Sequence, residues 1–178
     1  MQPAAGRFLI ASPALEDPNF MRSVVILAEH GAEGSLGFII NRPLDMPLGD
    51  LWAECPACLA DSALAGDGGP VERQKGLLVH TVLTLEGTAP LGLGLVVGGD
   101  LNALAQRWSA GPDNHGPRLF LGHSGWAPGQ LDKEIAEGAW LVRPGDPQLV
   151  VDAKGGGGAT LWDRLVRAEH RRSEPSVN

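Results

Sequence analysis

At 178 residues, with 43% hydrophobic and 20% charged side chains, the chain is long enough for one sizeable core and gives no reason to expect a second. Its formal net charge is −7, and Pro43 to Glu72 carries six carboxylates (Asp45, Asp50, Glu54, Asp61, Asp67, Glu72) without a Lys or Arg. Such a segment repels phosphate backbones, which argues against direct nucleic-acid binding. The longest apolar stretch, Leu91 to Gly99, falls far short of the ~20 residues that span a bilayer, and Arg7 interrupts the only leader-like start, so no membrane insertion and a cytoplasmic location are expected.

In chain order, Gly6–Ala11 and Ser23–Ala28 read as buried strands flanking a polar loop, and Ser35–Asn41 follows across EHGAEG as the second arm of a hairpin. Leu48–Glu54 reads as a short helix, and Gly76–Val82 and Leu93–Gly98 as strands. Asp100 is the expected N-cap of a helix that ends before Gly111. Arg118–Gly122 predicts a strand, followed through His123 and Trp126 by a turn and a helix with Pro128 in its first turn and Gly138 past its end. Ala139–Pro144 and Pro147–Ala153 read as strands, and Ala159–His170 as a closing helix with Leu161, Trp162, Leu165, Val166 and Ala168 on its apolar side. Strands that come in adjacent pairs, as well as alternating with helices, point to an α+β fold. The expectation is a single compact domain over residues 1–170, with a mixed, largely antiparallel sheet and short flanking helices. Residues 171–178 form a polar, frayed tail.

Several stretches resemble chemical motifs and fail at an identifiable position. GHSGW (Gly122–Trp126) opens like a nucleophile elbow around Ser124, but Trp126 stands where that strained turn needs a glycine. His123 cannot act as its base, because neighbouring side chains of a strand point to opposite faces. A tight turn with Ser124 bonded locally to backbone is the preferred account, and a Ser124 hydrolase the alternative. Cys55 and Cys58 have the spacing of a redox pair or half a zinc site, but no second pair or histidine grouping completes four ligands, and a reducing cytosol gives no reason for a structural disulfide. GLGLVV (Gly92–Val97) and KGGGGAT (Lys154–Thr160) lack the order of phosphate-binding loops and read as a close-packed strand and a turn. Arg164, Arg167, Arg171 and Arg172 read as the solvated face and end of the last helix. No catalytic residue, metal site or cofactor is assigned.

Three ordered motifs carry a resemblance. They are LIASPALEDPNFMRSVVILAEHGAEGSLGFIINRP (Leu9–Pro43), GGPV with GLLVH (Gly68–His80), and GHSGWAPGQLDKEIAEGAWLV (Gly122–Val142). Together the chain resembles the AlgH/YqgE family of bacterial proteins from about Gly6 to about His170. The resemblance implies bent sheets in a compact α+β fold, a cytosolic bacterial protein and no established enzymatic activity. Some members are named for an influence on alginate production, which brings a direct transcriptional regulator in as a further alternative, although no DNA-binding element is visible. The CPAC and KGGGG segments depart from the family pattern.

The motif residues Asp17, His30, Asn41, Arg42, Glu72, His80, Trp126, Gln130 and Glu134 form the candidate binding surface. They follow neither a charge run nor a helical stripe, so a gathering on one concave face is the functional expectation. The plainer reading is local: Asp17 caps a turn, Asn41 and Arg42 brace a strand end, and Gln130 and Glu134 cap or pair nearby. A small molecule or a protein is the expected partner.

Overall fold

A computed structural model describes residues 1–109, 116–152 and 157–174. Strands β1 (Arg7–Ala11), β2 (Val24–Gly31), β3 (Gly34–Ile39) and β4 (Pro43–Pro47) are followed by the one-turn helices α1 (Leu48–Leu51) and α2 (Ala57–Ala60). Next come β5 (Leu64–Asp67), β6 (Val71–His80), β7 (Thr88–Gly92), β8 (Leu95–Gly98) and helix α3 (Leu101–Arg107). The rest comprises β9 (Arg118–Trp126), α4 (Gln130–Ala136), β10 (Trp140–Pro144), α5 (Pro147–Val150) and α6 (Gly158–Ser173).

The strands form one curled sheet in the order β10-β1-β2-β3-β9-β6-β8-β7, with β4 and β5 attached beside β9. Pairing is antiparallel throughout except for β5 with β9, which makes the sheet mixed. The hinge of the curl is β9. Its first half pairs with β5 and β6, whereas Ser124–Trp126 pairs with β3. Gly122, at φ +75°, lies between the two halves. A bend there divides the interior into two cores.

The larger core lies under β1, β2, β3 and β10. Val24, Val25, Ile26 and Leu27 are all fully buried, so both faces of β2 are covered and its sequence runs apolar without alternating. Helix α6 closes this side with buried Leu161 and Trp162, whose indole donates to the Ala11 carbonyl at 2.8 Å. Each such buried side chain contributes about 1.5–3 kcal/mol relative to an exposed one. The smaller core gathers Leu48, Trp52, Leu59, Ala65, Leu78, Leu104 and Leu119 beneath α1, α2 and α3.

The α+β class, the β2–β3 hairpin and Asp100 as the α3 N-cap, accepting from the Ala103 amide at 2.9 Å, are as the sequence predicts. Other assignments change. Pro147–Val150 is helix α5 rather than a strand, because Asp146 caps it from the side chain and Pro147 occupies the first turn, where a missing N–H costs nothing. His123–Trp126 continues β9 instead of turning, the ladder to β3 holding it extended. Gly92 and Gly94 frame the β7–β8 hairpin turn, so the strand expected from Leu93 begins at Leu95. Gly129 is the α4 N-cap, which leaves Pro128 just outside the helix. Arg171–Ser173 extend α6. Gly111, Lys154–Gly156 and residues 175–178 lie outside the described residues.

Candidate functional site

The expected surface residues fall into groups with different local tasks. Asp17 Oδ1 accepts from the Asn19 amide at 2.9 Å, and the Asp17 carbonyl accepts from Phe20 and Met21, which folds residues 17–21 into a turn. Buried Asn41 reaches the next residue along, donating to the Arg22 carbonyl at 3.0 Å while accepting from the Val24 amide at 2.9 Å. Arg42 donates to the carbonyls of Asn19 (2.6 Å) and Met21 (2.9 Å). Burial lowers the Arg42 pKa, opposed chiefly by the Asp67 carboxylate. Three motif residues distant in sequence therefore hold one turn, and that turn delivers Phe20.

Phe20 stacks on Trp126 and meets Trp140 edge-on, both at 5.7 Å between ring centroids. Glu134 lies beside the trio. Its Oε2 accepts from the Trp126 indole at 2.7 Å and from the Trp140 indole at 3.3 Å. Gln130 donates to Glu134 at 3.5 Å and caps the helix approach by accepting from the Ala127 amide at 3.0 Å. His30 completes this side, with Nδ1 2.7 Å from Ser35 Oγ and Nε2 3.4 Å from Asp132. The structure thus links Asp17, Asn41, Arg42, Trp126, Gln130 and Glu134 through Phe20, with His30 at the edge. Glu72 and His80 lie elsewhere.

Next to this scaffold, the GGPV segment crosses β9 at backbone distance. A Cβ on Gly68 would lie 2.3 Å from the Gly122 carbonyl oxygen, and one on Gly69 would lie 2.4 Å from the His123 carbonyl, so only glycine fits. The Gly68 carbonyl accepts from the Ile39 amide (3.0 Å) and the Ser124 hydroxyl (3.1 Å). Ser124 is fully buried, and its partner is far away in sequence rather than local. Its proton is committed to a carbonyl, and among the described residues no imidazole is its partner.

Beyond the crossing, β6 arches. Val71 pairs with His123 and Gly76 with Leu121, so Glu72–Lys75 stand opposite Gly122 alone. Glu72 takes φ +52°, a left-handed conformation that costs a non-glycine residue about 1–2 kcal/mol, and it ion-pairs with exposed Lys75 at 3.0 Å. Backbone strain of this kind concentrates at sites where another requirement fixes the chain.

Two hollows meet at Gly76 and Leu77, at the foot of the arch. The larger, about 590 Å³, has leucines 51, 77, 78, 101, 119 and 121 in its lining and the Gly98–Asn102 segment as a wall. Asp100 is the one ionisable side chain among its lining residues. Gln74 and Asn102 also line it, and neither side-chain amide has a hydrogen-bond partner among the described residues. The smaller hollow, about 460 Å³, is lined by Leu36, Glu72, Lys75 and His123 around the same two residues. The opening exists because β8 pairs with β6 only at Val79 and His80, leaving the β6 edge free beyond Leu78.

His80 belongs to this wall. Fully buried, it donates from Nε2 to the Gly98 carbonyl at 2.8 Å and accepts the Val82 amide at Nδ1 (3.2 Å), which fixes its tautomer. Burial depresses its pKa, partly offset by the Gly98 bond. Cys55 is partly buried and its thiol is pushed up to about 11, first by burial and then by neighbouring Cys58, which disfavours the reactive thiolate. Among the described residues no cluster of three metal-ligating side chains occurs.

Gln74, Asn102 and Arg118 stand out only in the structure. The first two are single amides in ordinary contexts and carry no motif. Arg118 begins β9 as the sequence predicts, and it is fully buried, donates to the Asp152 carbonyl at 3.0 Å and lies 4.6 Å over the Phe120 ring. Burial brings its pKa down to about 10.

A family model described as AlgH-like matches residues 8–172. A UPF0301 protein of Anaeromyxobacter sp. strain K is 39% identical over 174 residues, covering 90% of this chain and 85% of the relative. A UPF0301 protein of Streptomyces coelicolor is 37% identical over 176 residues, covering 92% and 86%. The solution structure of the AlgH protein from Pseudomonas aeruginosa superposes with a TM-score of 0.70 at 31% identity, covering 98% of this chain and 94% of that one. A crystal structure of a Corynebacterium diphtheriae protein gives a TM-score of 0.73 at 28% identity, covering 99% and 90%. With the three motifs accounted for as turn, crossing and indole–carboxylate junction of one curled sheet, the chain belongs to the AlgH-like family.

Proposed function

We propose that this protein acts by binding rather than by bond chemistry, and that the leucine-lined hollow at the free edge of β6 receives the ligand. The observation that carries the reading is the pairing of a leucine floor with the exposed amides of Gln74 and Asn102, which have no protein partner among the described residues and are open to a ligand. At about 590 Å³, with leucines and polar groups sharing its lining, the hollow has the size and mixed chemistry of a small-molecule site. Among the described residues the lining offers no cation for a phosphate, so the ligand is a neutral or cationic apolar molecule with an amide-like edge, or a protein segment of that chemistry.

In this reading Glu72 stands at the rim and His80 holds the Gly98 wall. Asp17, His30, Asn41, Arg42, Trp126, Gln130 and Glu134 keep β9 and α4 in place beside it. A regulatory role, through a partner that senses occupancy, belongs to the same proposal. So does a cytoplasmic location, supported by the free thiols of Cys55 and Cys58. Direct nucleic-acid contact has no part in it.

The test is a fragment screen by amide NMR with neutral apolar amides and heterocycles. Hits should shift Gly76–Leu78 and Gly98–Asn102 together, and Leu121→Arg, which fills the hollow, should abolish them without lowering the melting temperature. Hits that map elsewhere, or that survive Leu121→Arg, would sink the assignment.

A further inference from the structure

The chain is acidic overall, with a net charge of −7, yet one face of α6 carries positive charge without compensation. Arg164, Arg167 and Arg171 follow one another at i, i+3 and i+7, a spacing that sets them on the same side of a helix. All three are exposed, and with Thr160 and Asp163 they line a hollow of about 340 Å³. None makes a hydrogen bond or ion pair among the described residues.

The acidic groups of the same helix are already taken. Asp163 pairs with Arg22 at 3.2 Å, and that guanidinium also lies 5.0 Å from the centre of the Trp162 ring. Glu169 is clasped by Arg143 and, at 3.4 Å, by Arg172. Every arginine away from this face except Arg73 donates to a carboxylate, carbonyl or hydroxyl. A favourable position near the negative end of the helix accounts for Arg171, but not for Arg164 and Arg167, which lie mid-helix. Like charges three and four residues apart on a helix repel, so the triplet is unfavourable in the free protein. An anion between them removes that repulsion.

We propose that this face of α6 binds a soluble ligand bearing two or more linked phosphoryl groups. Guanidinium forks match phosphoryl oxygens two at a time, which lysines or amides do not. The triplet extends roughly 10 Å along the helix axis, beyond the reach of one phosphate and suited to a diphosphate or triphosphate. Asp163 forms one edge of the hollow, its carboxylate already ion-paired with Arg22 at 3.2 Å. The site is separate from the β6 hollow, whose lining holds no cation.

The test titrates the full chain with sodium tripolyphosphate, following amide NMR shifts and heat. Binding should shift Thr160–Arg171 and weaken about tenfold with orthophosphate and with Arg167→Ala, each losing charge-assisted bonds. Arg167→Lys should fall between, and Arg172→Ala, whose partner is Glu169, should leave the affinity unchanged. Circular dichroism checks that each variant keeps its helix. Equal affinity for orthophosphate and tripolyphosphate would overturn the proposal, as would shifts outside α6 or no heat at all. Binding only to phosphatidylglycerol vesicles, or only to a duplex oligonucleotide, would equally overturn it in favour of a membrane or nucleic-acid surface.

Discussion

The Trp126 indole and the Glu134 carboxylate meet at 2.7 Å across the junction of β9 and α4, and the same carboxylate oxygen also receives the Trp140 indole. One acceptor thus satisfies two largely buried donors from two strands. Leaving a buried donor unpaired costs about 1–3 kcal/mol each. Glu134→Ala should therefore destabilise the protein by about 2–4 kcal/mol, and Glu134→Gln, which keeps an acceptor, by about 1 kcal/mol. Urea unfolding followed by tryptophan fluorescence measures both. Equal losses for the two variants would show that charge, not acceptance, holds the junction.

The glycine crossing gives a second expectation. Gly69, at φ +144°, has no room for a Cβ, whereas Gly129, at φ +78°, has open space around that position. Gly129→Ala should cost about 1–2 kcal/mol from backbone conformation alone. Gly69→Ala adds a clash with the His123 backbone and should leave little folded protein. Soluble yield and melting temperature compare the pair, and similar losses would remove the crossing as the reason for glycine at 69.

These contrasts show how far the sequence could be read. Apolar runs such as Val24–Leu27 and the Asp100 cap act within a few residues, so their outcome is visible locally. Asp146 and Pro147 are an equally local helix signal, but the apolar Leu149–Val151 that follows carries the pattern of a strand. The residues after the predicted strand Arg118–Gly122 read as a turn because glycines flank them, yet the ladder from Ser35–Gly37 to Ser124–Trp126 keeps the chain extended there. That ladder joins residues far apart in sequence and leaves no local mark. The site divided in the same way. Motif matching picks out Asp17, Asn41, Arg42 and Glu134, which the structure joins around Phe20, but the proposed β6 hollow depends on where β8 stops pairing, which no spacing records.

Ser124 should be inert towards a serine-directed fluorophosphonate in the folded protein, because it is fully buried and donates to the Gly68 carbonyl. Ser124→Ala should cost about 1 kcal/mol, since Gly68 keeps its bond from Ile39. Mass spectrometry of the treated protein decides, and stoichiometric modification of Ser124 would restore a nucleophilic role.

Stability should fall on mild acidification through His80. Its folded pKa lies below the ordinary 6.5, so between the two values the unfolded chain binds a proton that the folded chain refuses. The contribution is complete above pH 6.5 and is lost as pH falls through the folded value, at no more than about 1.4 kcal/mol per pH unit. Denaturant unfolding across this range, compared with His80→Gln, isolates it. An unchanged slope in the variant would assign the effect to other groups.

The place of β9 in the sheet also bears on how the protein is made. It is synthesised after β1 to β8, yet it lies between β3 and β6 and pairs with β5. Until Trp126 leaves the ribosome, β3 and β6 each present an open edge where β9 will pair. Open edges attract other chains, and long-range pairing closes slowly. The interval between translation of β6 and of β9 is thus when this protein is most vulnerable to aggregation, and when a chaperone would matter most.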